Sequence, residues 1–166
     1  MSVFLKIIIA LGILFGAFWL IGYYTNENYE GEHIVKLDCP KAVVWDILTD
    51  LEEIPDYRDE IDEVHFKGRN QRGLMKYEMI PEIGGYIDLE ILERIPEKRL
   101  VVRMIDSSFG LSGIWTYELE GNNDYCLVTI SENSRLENTL SRSTLSLTGR
   151  DAILEREAEI LEDGCD

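Results

Sequence analysis

The apolar positions divide the chain sharply. From Ile7 to Tyr24, eighteen residues (IIIALGILFGAFWLIGYY) carry no formal charge. As a helix rising about 1.5 Å per residue they would span roughly 27 Å, close to a hydrocarbon core of about 30 Å. Val3, Phe4 and Leu5 lengthen the run, and Trp19, Tyr23 and Tyr24 gather at its far end, where amphipathic rings settle at the headgroup level. A cleaved secretory signal is the alternative, but such peptides have a shorter apolar core and end in small residues, whereas this one ends FWLIGYY. Residues 1–24 therefore read as a transmembrane anchor. Lys6 precedes the span, and Glu27, Glu30 and Glu32 follow it. The positive-inside bias puts the N-terminus in the cytoplasm and the rest of the chain on the extracytoplasmic side. Gly12 and Gly16 make a G-x-x-x-G pair, a spacing that lets helices approach closely in membranes and that also arises from glycine's general frequency there.

Beyond a polar linker at 25–31, a domain over 32–162 and a short tail at 163–166 show other periods. HIVKLDC alternates as a strand until Pro40, which opens the helix PKAVVWDILTD with Val43, Val44, Ile47 and Leu48 at helical spacing. Asp50 is placed to cap a second short helix, LEEI, ended by Pro55. Strands follow at about Val64–Lys67, Leu74–Ile80, Tyr86–Arg94, Arg99–Ile105, Gly113–Glu120 and Tyr125–Asn133, with Gly, Pro or Asn-Asn-Asp at the joints. Alternation is clearest where Ile87, Leu89 and Ile91 oppose Asp88 and Glu90, and where Trp115, Tyr117 and Leu119 oppose Thr116, Glu118 and Glu120. Leu145–Glu162 carries Ala152, Ile153, Ala158, Ile160 and Leu161 among Arg and Glu, the pattern of one long amphipathic helix. Strand, two short helices, six antiparallel strands and a long helix predict an α+β domain.

Composition narrows the function classes. The 166 residues are 45% apolar and 29% charged, a balance that buries a core and excludes wholesale disorder. Thirty-two acidic against sixteen basic residues leave a net charge of −16, which repels phosphate backbones and excludes nucleic acid as a partner. His33 and His65 are the only histidines and stand outside any catalytic motif, so both read as solvent-facing strand residues. The acidic run DYRDEIDE lacks the glycine and closing glutamate of a calcium loop and reads as a solvated face. No metal and no cofactor is assigned.

VKLDCPKAVVWDILTDLEEIPDY, the turn IPEKRL, SGIWTYELEGNNDYCLVTIS and a terminal helix, in that order, resemble the START-like or SRPBCC superfamily of polyketide cyclases, pollen allergens and lipid-transfer domains. The resemblance covers about Gly31 to Glu162 and rests on structural rather than catalytic residues. It implies a helix-grip fold: a curved, seven-stranded antiparallel sheet around a long C-terminal helix, with an apolar cavity between them. With the alternation, this makes Tyr77, Ile87, Leu89, Ile91, Trp115, Tyr117 and Leu119 candidate ligand-binding residues, opposed by Ile153 and Ile160 on the helix, although such residues also fill ordinary cores. The fold would also bring Cys39, at the end of the first strand, near Cys126, at the start of the last. A disulfide between them and three reduced thiols are both open, and Cys165 is left unpaired. The function so implied is a membrane-anchored, non-enzymatic binding module for a lipid, quinone or similar hydrophobic molecule. The alternatives are an accessory subunit docking other membrane proteins through Gly12 and Gly16, and a cyclase- or hydratase-like enzyme using Tyr77, Tyr117 or Glu78.

Overall fold

The computed structural model describes residues 3–165. Helix α1 (Val3–Tyr24) is the apolar run, 22 residues containing an 18-residue stretch of mean hydropathy 2.5, long and apolar enough to cross a membrane. It leads almost directly into β1 (Asn28–Leu37), followed by α2 (Lys41–Thr49), α3 (Ile54–Tyr57), β2 (Ile61–Arg69), β3 (Met75–Pro81), β4 (Ile87–Ile95), β5 (Arg99–Ser107), β6 (Leu111–Gly121), β7 (Cys126–Leu136), α4 (Thr139–Thr148) and α5 (Ala152–Asp163). The strands form one antiparallel sheet in the order β1-β7-β6-β5-β4-β3-β2. Only the closing β1–β7 pair is distant in sequence; every other neighbour is a hairpin. The result is α+β, and the sheet with α5 across its inner face has the helix-grip arrangement.

The alternating side chains decide the faces. Along β6, Trp115, Tyr117 and Leu119 are buried while Ile114, Glu118 and Glu120 are exposed, and β7 buries Cys126, Val128, Ile130, Glu132, Ser134 and Leu136 in strict alternation. Register shifts in β2 and β4 mark bulges that bend the sheet. At the second bulge of β2, Gly68 takes φ 110°, a conformation costly for a residue with a Cβ. Leu154, Ala158 and Leu161 form the buried i, i+4, i+7 stripe of α5 against the sheet.

Four expectations are corrected. The strand taken to start at His33 begins at Asn28, within the expected linker, because Asn28–Gly31 pair with Glu132–Arg135 of β7. The second short helix is Ile54–Tyr57, and Pro55 lies in its first turn rather than beyond its end. Asp50 instead closes α2, donating its N–H to the Asp46 carbonyl. The single C-terminal helix is two, separated at Gly149 with φ 112°. Only Leu145 and Leu147 precede the break in the expected helix, too few apolar positions to show that the helix stops at Thr148. Finally, Cys39 is bonded to Cys165, with Cα atoms 5.7 Å apart, and not to Cys126. Leu37 is the residue opposite Cys126, whose side chain points inward and is fully buried, while Cys39 lies beyond the strand end, where α5 delivers the chain terminus. Gly164 packs on Ile47 of α2 there.

Candidate functional site

The inner face of the curved sheet and the helices over it enclose a cavity of about 200 Å³. The sheet supplies Tyr77 and Met79 from β3, Leu89 from β4, Leu100, Val102 and Met104 from β5, and Leu111, Trp115 and Tyr117 from β6. Ile47 and Leu48 of α2, Ile54 and Tyr57 of α3, and Ile153, Glu157, Ile160 and Leu161 of α5 close it from the other side. Of the residues expected from the sequence, Tyr77, Leu89, Trp115, Tyr117 and Ile153 line the cavity, as does Ile160. Ile91 and Leu119 face inward but are core residues outside its wall, and Ile87 is only partly buried against that core.

One wall is ionic. Arg58, directly after α3, donates from both terminal guanidinium nitrogens to the Glu157 carboxylate at 2.8 and 2.7 Å. The Tyr117 hydroxyl donates to the same carboxylate at 2.7 Å. The two charged side chains retain 20% and 13% of their exposure, so the pair works largely out of bulk solvent. Burial pushes the Glu157 carboxyl up, but the Arg58 charge, its paired hydrogen bonds and the Tyr117 hydroxyl outweigh this and hold it below the usual carboxylate range. Burial, reinforced by the Glu157 charge, pushes the Tyr117 hydroxyl well up. Burial also raises Tyr77, partly opposed by Arg58. Both phenols are therefore protonated donors at neutral pH. That of Tyr77 makes no hydrogen bond to the described residues and borders the cavity.

This cluster was missed in the sequence. Arg58 lies in the acidic run read as a solvated face, although it is the sole base among DYRDEIDE. Glu157 offered a clearer signal, since it falls four residues after Ile153 and three before Ile160, a carboxylate in an apolar stripe. Glu78, by contrast, points away from the cavity and pairs with Lys67 at 2.9 Å. His65 is exposed beside Glu63 as expected, but His33 is half-buried on the inward row of β1. A second internal carboxylate, Glu132, stands opposite Trp115 on β7. It is 3% exposed, accepts from Ser134 through one oxygen and leaves the other without a partner. Burial raises its pKa, against the Ser134 hydrogen bond and the indole of Trp115 beside it.

Gly12 and Gly16 have nothing within 4 Å of the position a Cβ would take, so the expected docking face on α1 is open. The glycine of α1 that is packed is Gly22, which is buried against α4.

No family model and no curated protein matches the sequence. Solved structures do match. A START superfamily protein from Mycobacterium smegmatis superposes with a TM-score of 0.65 at 13% identity, over 81% of this chain and 94% of that one. An aromatase/cyclase from Streptomyces gives 0.65 at 11% identity, over 82% and 93%. Norcoclaurine synthase from Thalictrum flavum, solved with dopamine and hydroxybenzaldehyde, gives 0.60 at 13% identity, over 87% and 89%. At these identities the shared property is the fold, that of START/SRPBCC proteins.

Proposed function

We propose that this chain is a membrane-anchored module that binds a small hydrophobic molecule in the cavity between sheet and α5, without chemical conversion. The observation that carries the reading is an apolar cavity bordered by one unpaired phenol, Tyr77, beside a satisfied ion pair. At about 200 Å³ the space is of the order at which an engineered apolar cavity of about 150 Å³ accepts benzene. That favours a single ring or a short acyl chain with one oxygen to accept from Tyr77. The structural neighbours include proteins described as a cyclase and a synthase with aromatic ligands, which supports an aromatic occupant. Proton transfer fits less well. A general base is most effective with a pKa near working pH, whereas Glu157 is held ionised by Arg58 and both phenols are held protonated.

Anchoring rests on α1, with the N-terminus cytoplasmic and the domain outside. The Cys39–Cys165 bond supports that side, since disulfides persist in oxidising compartments. Native mass spectrometry of the full chain, extracted gently from its own membrane, with organic extraction of what dissociates, tests the proposal. A stoichiometric apolar compound is expected, and Leu89→Trp, which fills the cavity, should abolish its retention. A ligand-free protein, or a compound retained equally by the filled variant, would overturn it.

A further inference from the structure

Helix α4 is the element that the binding function does not use. It crosses α1 at Gly22, where a Cβ would collide with the Thr139 carbonyl oxygen and the Ser143 hydroxyl. Ser143 donates its hydroxyl to the Phe18 carbonyl at 2.6 Å, and Arg142 Nε donates to the Gly22 carbonyl at 2.8 Å. The rest of the Arg142 guanidinium reaches the Leu136 and Glu137 carbonyls at 2.9 Å and the Glu27 carboxylate at 3.2 Å. Arg142 is 5% exposed and Ser143 fully buried, so α1, the start of β1 and the end of β7 are joined through one buried clamp. A flexible tether would need none of this.

The outer side of α4 has a different character. Leu140, Thr144 and Leu147, at i, i+4 and i+7, form an exposed stripe, with the two leucines 42% and 64% accessible. In a chain with 32 acidic residues, Asn138 to Arg150 contains none. The clamp itself falls on α1 between Phe18 and Gly22, the stretch that neighbours Trp19, Tyr23 and Tyr24 at the aromatic end of the apolar helix. The β5–β6 turn adjoins α4, as Ser141 donates to the Phe109 carbonyl at 3.2 Å, and the β3–β4 turn adjoins that, with Tyr86 N–H donating to Ser108 Oγ at 3.0 Å. Ile83, at the tip of the β3–β4 turn, is 84% exposed. This end of the domain thus carries exposed apolar side chains on α4 and at Ile83, the latter beside an exposed Glu82.

We infer that α4 is a membrane-interfacial helix, seated on the bilayer through Leu140 and Leu147 and clamped to the anchor through Gly22, Arg142 and Ser143. This rests on the proposal that α1 spans the membrane. Leu111, at the start of β6, and Ile153, at the start of α5, belong to the cavity wall and lie on segments adjoining the β5–β6 turn and α4, so the seat brings this part of the wall toward the lipid. A helix with exposed leucines and no acidic residue gains from that contact, whereas the acidic remainder of the domain favours solvent.

The test is fluorescence quenching on the full chain in phosphatidylcholine vesicles. Cys126 is fully buried and the other cysteines are bonded, so one introduced cysteine carries the label. Labels at Leu147→Cys and Leu140→Cys should be quenched by doxyl-phosphatidylcholine and shielded from iodide, as should Ile13→Cys in α1, whereas Glu97→Cys in the far β4–β5 turn should behave oppositely. If Ile13 is lipid-quenched but Leu140 and Leu147 are open to iodide, the seat is refuted while the anchor stands. If Ile13 itself is open to iodide, the anchor fails and the seat with it. Gly22→Leu, combined with the Leu147→Cys label, should expose that label several-fold more to iodide without changing Ile13. An unchanged Leu147 label would refute the clamp.

Discussion

Replacing Glu157 by glutamine keeps the shape of the side chain and removes one charge from the ion pair. Arg58 then remains four-fifths out of solvent with a neutral partner. Two unit charges about 4 Å apart attract by about 4 kcal/mol at an effective dielectric near 20, and removing one member of a buried pair costs about 3–5 kcal/mol because the survivor is left uncompensated. Glu157→Gln should therefore lower unfolding stability at pH 7 by about 3–5 kcal/mol, the range for such single removals. The double variant Arg58→Met with Glu157→Leu should recover most of that loss, because well-packed apolar groups avoid the desolvation of both ions. The pH dependence supplies a sign. The folded Glu157 pKa is depressed, so its contribution is complete above the ordinary glutamate value and is lost as pH falls through the depressed value. The stability gap between wild type and Glu157→Gln should be constant near neutrality and narrow in acid. Urea titration of the full chain in micelles, followed by fluorescence of the buried Trp115 and Trp45, reads all three quantities. A single variant within about 1 kcal/mol of wild type, the size of an exposed pair, would refute the reasoning, as would a gap that widens in acid.

Tyr77→Phe should leave the urea midpoint nearly unchanged, since the hydroxyl has no partner among the described residues, while weakening retention of the cavity ligand; comparing extracts of the two purified proteins checks this. Glu132→Gln should stabilise the fold at neutral pH, because it removes a desolvated charge while keeping the shape of the side chain. Because the folded Glu132 pKa is raised, its penalty is absent below the ordinary glutamate value and grows as pH rises through the raised one, so wild type should gain on the variant as pH falls in paired titrations. Cys165→Ser should lower stability by about 2–4 kcal/mol, below the chain-entropy ceiling of about 5 kcal/mol for so long a loop. Without reductant, denaturing alkylation of the wild type should modify Cys126 alone; modification of Cys165 instead would restore the pairing first expected.

Periodicity determined much of the architecture. A run of 22 mainly apolar residues identifies α1 by length alone, and period-2 alternation assigned the inward faces of β6 and, at Leu89 and Ile91, of β4. These are local signals, set by which side of a helix or strand each residue occupies. What the sequence could not decide depends on distant segments meeting. Glu157 and Arg58 lie 99 residues apart, and their pairing requires α5 to cross the sheet beneath α3. The Cys39 partner depended on where α5 ends, because Cys126 is nearer by strand register yet faces the core. Gly149 ends α4, and that break becomes meaningful only because α4 packs onto Gly22 of α1. Hydrophobic period fixes which face is buried; only tertiary packing decides which buried polar groups, thiols and small residues find one another.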